Sequence, residues 1–163
     1  MAVTDKQTYI PTVFSNKQGR MVIRSKDRTR FSAVVRQAVA ACGAHRRKDQ
    51  VVFRKQFENL AGLLGGWVHK RRTRLAKAFL TVWDTGLVFI IVSKERAYNA
   101  GLEHDLTHLD IKVAQSKDFS QIALSVQALP CCSSTGYEHF CNPKATLEYT
   151  GLPVLSGVER NVE

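Results

Sequence analysis

The feature that most constrains this chain is an unbroken apolar run, Leu87-Val88-Phe89-Ile90-Ile91-Val92. Side chains on a strand alternate between two faces, so a run without polar interruption implies burial on both. It is far short of the ~20 residues that a membrane-spanning helix needs. We therefore expect a central strand over 87–93. Asp84-Thr85-Gly86 supplies turn chemistry just before it. Ahead of that turn, Ala76, Ala78, Leu80 and Val82 alternate, and β-formers end the segment at Trp83. Leu75, Phe79 and Val82 also fit a helical period, but the β-formers favour a strand over 76–82.

The other elements follow from periodicity. Residues 9–14 and 20–24 read as a hairpin around Ser15-Asn16-Lys17-Gln18-Gly19, with Pro11 restricting the first strand to an edge. Phe31, Val34, Val35, Ala38, Val39 and Cys42 form one helical stripe. Asp27 or Thr29 is placed to cap its start, and Gly43 to stop it. A second helix runs from Asp49 through Phe53, Phe57, Leu60, Leu64 and Trp67. Gly62, Gly65 and Gly66 each weaken it by up to about 1 kcal/mol relative to alanine. Either the helix ends near Gly65, or the glycines admit a close neighbour. Asn99 caps a third helix striped by Leu102, Leu106, Leu109 and Val113. Ile122, Leu124, Val126 and Ala128 then alternate as a strand that Pro130 ends.

The order β-β-α-α-β-β-α-β predicts an α+β domain over 1–130. Its mostly antiparallel sheet of about five strands carries two or three amphipathic helices. Residues 131–163 read as a loop and a loosely ordered tail. The chain has 163 residues, with 44% hydrophobic and 23% charged, a composition that argues against disorder. Four cysteines are too few for a disulfide framework. The polar opening Met1-Ala2-Val3-Thr4-Asp5-Lys6-Gln7 has no apolar core of a secretory signal. The expectation is a cytoplasmic protein without a transmembrane segment.

Charge is the strongest deviation. The net charge is +10, and residues 1–80 carry 18 Lys/Arg against 4 Asp/Glu, giving +14, while residues 81–163 carry 6 against 10, giving −4. Such asymmetry points to an anionic partner: nucleic acid, an acidic protein or a charged membrane surface. The densest cations are Arg46, Arg47, Lys48, Arg54, Lys55, Lys70, Arg71, Arg72 and Arg74. They can neutralise phosphates and release counterions without any sequence motif. Trp67 beside them either continues the core stripe of the second helix or stacks on an unpaired base.

Two constellations point to metal chemistry. His104 and His108 sit one helical turn apart, a spacing that can hold one ion. Relative to Leu102 they fall at about 200° and 240° around the helix, opposite the core stripe. Cys131, Cys132, His139 and Cys141 offer four zinc-type ligands, although adjacent cysteines suit one ion poorly and no C-x-x-C is present. No P-loop, dinucleotide fingerprint or nucleophile elbow occurs. The expectation is a non-catalytic module that binds an anionic partner, most plausibly nucleic acid, through residues 45–77, without a cofactor. The alternatives are a self-assembling or protein-binding module, its basic half meeting an acidic surface such as 103–118 of a second copy, and a metal-dependent enzyme using either His/Cys set.

Overall fold

The apolar run forms strand β4 (Gly86–Ser93), which pairs antiparallel with β3 (Leu75–Trp83) through the Asp84–Thr85 turn. On its other side β4 pairs parallel with β5 (Leu124–Leu129). Leu87, Phe89 and Ile91 are buried on one face, and Ile90 and Val92 on the other. The two-sided burial expected from the run is thus met by packing on both faces of the sheet. The structure is a computed structural model that describes residues 9–15, 17–44 and 47–151. Arg46 and the segment 152–163 of the expected tail lie outside the described residues.

The N-terminal hairpin joins β1 (Ile10–Ser15) and β2 (Arg20–Ile23). Helices α1 (Arg28–Ala41) and α2 (Arg47–Lys70) follow, and α3 (Ala100–Gln115) lies between β4 and β5. A one-turn helix, α4 (Ser134–Glu138), precedes strand β6 (Thr146–Tyr149). The sheet order is β2-β1-β6-β3-β4-β5. The architecture is therefore α+β, with six strands rather than about five. The sheet is mixed: three of its five strand pairings are antiparallel, roughly as expected, while β1–β6 and β4–β5 run parallel.

The sixth strand comes from the segment expected to be loop. Leu147 and Tyr149 face the helices and are buried, whereas Thr146 and Glu148 face the other side. Four residues are too few for alternation to stand out in the sequence. Pro11 is not on an edge strand, since β1 lies between β2 and β6. Thr12 turns its carbonyl towards β6, accepting from the Thr150 amide at 2.8 Å. The backbone of Pro11 therefore points towards β2, whose register begins only at Thr12↔Ile23, so its missing N–H breaks no ladder bond.

All three long helices pack on one face. Phe31 and Val34 of α1, Phe53, Phe57 and Leu60 of α2, and Leu102, Leu106 and Leu109 of α3 bury against Leu80, Phe89 and Leu147. The second face carries a smaller cluster of Phe79, Ile90, Val92 and Cys141, covered by Tyr9, Tyr137 and Phe140. Asn142 pins that cover. Its amide N–H donates to Thr81 Oγ1 at 2.8 Å, and its side-chain Nδ2 donates to the Val82 carbonyl at 2.8 Å. Asn99 caps α3 as expected, accepting from the Leu102 N–H at 3.0 Å. Asp27 precedes α1 but makes no side-chain cap bond; its buried carboxylate accepts from Arg24 and Arg30 instead. No helix among the described residues is long and apolar enough to cross a membrane.

Helix α2 runs through all three of its glycines to Lys70. Of the two outcomes the glycines allowed, the close neighbour is the one the fold uses. A Cβ on Gly62 would lie 3.4 Å from the Cα of Arg20, and one on Gly65 would lie 3.1 Å from the Phe14 ring and 3.3 Å from the Tyr149 ring. Tyr149 cannot yield, because its hydroxyl donates to the Ala61 carbonyl at 2.7 Å inside the core. A Cβ on Gly66 would meet only the tip of Phe14, at 3.4 Å. Alanine gains up to about 1 kcal/mol of helix propensity at either site. We expect Gly65→Ala to lower the denaturation midpoint through crowding and Gly66→Ala to leave it unchanged or raise it. Urea unfolding of the two variants checks this, and an equal effect at both sites would contradict it.

Candidate functional site

Eight of the nine basic residues singled out from the sequence are spread along α2 and the turn after it. Arg46 lies outside the described residues, while Arg47 and Lys48 open the helix. Arg54 and Lys55 follow about two turns later. Lys70 closes the helix, and Arg71, Arg72 and Arg74 occupy the turn into β3. At 1.5 Å per residue, Lys48 and Lys70 are separated by about 33 Å. The set therefore forms two groups on one long helix, not one compact patch.

The C-terminal group is built by helix chemistry. The last carbonyls of a helix lack internal partners and carry the negative end of its dipole, so cations settle there. Arg72 Nη1 donates to the His69 carbonyl at 2.7 Å, and Arg71 Nη1 donates to that of Trp67 at 3.3 Å. The Arg71 guanidinium also lies 4.3 Å from the Trp67 ring centroid. Trp67 is only 8% exposed and meets Phe89 edge-on. It is a core residue under an arginine lid, and its ring is not available to an outside base.

Asp105 of α3 accepts from Arg71 Nε at 3.2 Å and from Arg74 Nη2 at 3.1 Å. The hydrogen bond from Arg74, followed by that from Arg71, holds the Asp105 carboxyl below its usual range despite some desolvation. Two cations of the basic half thus share one carboxylate of the acidic half, leaving a net +1 on the trio. Arg54 pairs with Glu58 one turn on, at 3.3 Å, and lies over the Phe31 ring. Lys55, Lys70 and Arg72 are exposed, with no carboxylate at ion-pair distance among the described residues.

The structure adds two arginines that local sequence pattern did not suggest. Arg20 on β2 and Arg28 at the start of α1 join Arg54 around a cleft of about 500 Å³, whose apolar lining includes Met21, Ile23 and Phe31. Their sequence positions are unremarkable. They come together because Gly62 lets β2 lie against α2. A second group, on the other sheet face, was also missed. Lys77 Nζ donates to Glu148 Oε2 at 3.0 Å, close to Tyr137. Burial works against the Lys77 charge, but Glu148 outweighs it and holds the ammonium above its usual pKa.

The two His/Cys sets behave differently from one another. His104 and His108 do share a face, with ring centroids 4.5 Å apart, and both are exposed as the helical wheel requires. The Cys/His set is dispersed. Cys131 lies two residues past the end of β5, its N–H donating to the Glu95 carbonyl at 2.8 Å. Cys132 and His139 are exposed, whereas Cys141 is buried against the second sheet face beside Tyr9. Burial first, with help from nearby Glu148 and Glu138, pushes the Cys141 thiol up to about 11. Among the described residues, no three His, Cys, Asp or Glu side chains converge as metal ligands would. Cys42 sits at the end of α1, half-buried, and its sulfur receives the Ala123 N–H at 3.5 Å. Packing accounts for it.

No protein-family model matches the chain, and no curated protein or solved structure is significantly similar to it.

Two outcomes follow from this geometry. In native protein at pH 8, iodoacetamide should alkylate Cys132 at least tenfold faster than Cys141, and denaturant should abolish the difference; mass spectrometry of the labelled peptides reads both. The folded-state pKa of Asp105 is depressed, so its ion pairs contribute above the unfolded carboxylate value of about 3.9 and are lost as pH falls through the lower folded value. Both partners are partly solvated, so the contribution is about 1 kcal/mol. Asp105→Asn should therefore be less stable than wild type at pH 7 by about that amount. The gap should close in urea titrations as the pH falls below the ordinary carboxylate range.

Proposed function

We propose that this protein is a non-catalytic module that binds a polyanion, nucleic acid in the first place, along the outer side of α2 and the elements beside it. One observation carries the proposal. After the internal ion pairs are formed, exposed cations remain along the same helix. Lys55 and Lys70 are separated by about 22 Å along α2 and about 60° around it. Arg72 extends the line into the following turn, and Arg20 and Arg28 flank it. A nucleic-acid backbone is an extended row of charges and suits a line of cations better than a compact anion does.

The self-assembly reading has less to rest on. Asp105, one of the four carboxylates in the acidic 103–118 segment, is already occupied by the chain's own Arg71 and Arg74. The enzyme reading lacks a convergent ligand set among the described residues.

The proposal is tested by fluorescence anisotropy with a labelled oligonucleotide across a salt series. Log affinity should fall linearly with log salt. Replacing Lys55, Lys70 and Arg72 together with alanine should weaken binding and make the slope shallower by about 2 to 3. Replacing Arg71 alone should change the slope less, because Asp105 already neutralises much of its charge. An affinity indifferent to salt, or to the triple substitution, would rule the proposal out.

A further inference from the structure

The cleft between β2, α1 and α2 sets a cationic rim beside an apolar side. Arg20, Arg28 and Arg54 are contributed by three different elements, and Glu58 is the one carboxylate among the lining residues. Three cations against one anion leave a net charge of +2. Glu58 is committed to Arg54 at 3.3 Å, so Arg20 and Arg28 have no carboxylate partner among the described residues. Arg20 Nε donates to the neutral Gln18 Oε1 at 2.9 Å, which orients the guanidinium without cancelling its charge. Met21, Ile23 and Phe31 supply an apolar side, and the flat Arg54 guanidinium lies 5.8 Å from the Phe31 ring centroid.

Each part calls for a different part of one ligand. Arginine presents a planar fork of donors that matches two phosphate oxygens at once. A flat guanidinium backed by an aromatic ring, beside aliphatic side chains, is a surface on which an unpaired base stacks. A volume of about 500 Å³ is of the size that holds one small organic unit. A base inside a duplex cannot enter such a space without first leaving its pair and its stack.

We propose that this cleft seats one unpaired nucleotide of a single-stranded nucleic acid. Its phosphate lies between Arg20 and Arg28, and its base rests on the Arg54 guanidinium, which the buried Phe31 ring backs, and beside Ile23. This rests on the polyanion reading and sharpens it: the preferred partner is a single strand, and the exposed lysines of α2 track the backbone leading away from the cleft.

The test uses the full chain and anisotropy with a labelled 12-residue oligothymidylate, compared with a duplex of the same length. Wild type should bind the single strand at least tenfold more tightly than the duplex at 0.1 M salt. Arg20→Ala/Arg28→Ala should weaken single-strand binding at least tenfold. Arg96→Ala/Lys144→Ala removes the same charge from loops that do not line the cleft and should cost less than threefold. Arg20→Lys/Arg28→Lys keeps the charge but loses the fork, and should still cost at least threefold. Arg20 and Arg28 are exposed, so thermal melting should be the same in every variant. Equal losses in the cleft and control variants, or equal affinity for duplex and single strand, would overturn the nucleotide seat. If the Lys55/Lys70/Arg72 variant loses binding while the cleft variants do not, the seat fails and the polyanion reading stands. If wild type binds neither oligonucleotide, both fail.

Discussion

At Gly62, Gly65 and Gly66 helix α2 presents bare backbone, and the β1–β2 hairpin and β6 press into the gap. Arg20 and Met21 approach Gly62, while Phe14 and Tyr149 fill the space over Gly65. That contact positions β1 over the helix layer, and with it β2, the edge of the sheet. It also carries Arg20 to the side of α2 where Arg54 and Arg28 already stand. Three glycines in one helix are costly in propensity, up to about 1 kcal/mol each. The packing they permit, including the buried hydrogen bond from Tyr149 to Ala61, offsets that cost.

The charge of the molecule is arranged rather than merely abundant. Within the basic half, Asp27 holds Arg24 and Arg30, and Glu58 holds Arg54. Across the halves, Asp105 holds Arg71 and Arg74, and Glu148 holds Lys77. Asp27 and Asp105 sit where cations crowd a helix end, Glu148 on a sheet face, and Glu58 one turn along α2 from its arginine. Among the exposed cations outside these pairs, Lys55, Lys70 and Arg72 follow α2 and its closing turn, and Arg20 and Arg28 stand at the cleft, the arrangement on which the proposed polyanion site rests.

Much of this fold was legible in the sequence where a pattern was long enough to be local. The apolar run gave away β4 and its two-sided burial, and the stripes of α1, α2 and α3 matched the buried residues. Asn99 and Gly43 act at the helix ends as their chemistry predicts. What could not be read depends on distant partners. Asp27 abandons its capping role because two arginines compete for it. Strand β6 offers only four alternating residues, and its assignment depends on the gap between β1 and β3 that it fills. Arg20 and Arg28 look like ordinary surface residues until the hairpin folds back. The Cys/His set suggested a cluster only because its members are close in sequence; α4 and the turn after it send Cys141 inward and leave Cys132 and His139 in solvent.

The position of β6 has a consequence for how the chain reaches this structure. The β1–β2 hairpin and the β3-β4-β5 unit touch within the sheet only through β6, which pairs Ile10 with Leu147 and Leu80 with the same Leu147. The first strand made must wait for the last before the sheet is continuous. During synthesis, α2 can gather the hairpin early, since their contacts are comparatively local. The two sheet fragments stay unjoined, with strand edges open, until residues near 149 leave the ribosome. Pairings of such long sequence separation form slowly and leave edges exposed meanwhile. The loop anchored by Asn142 shortens that final search, holding the start of β6 against Thr81 and Val82, beside the position it must occupy.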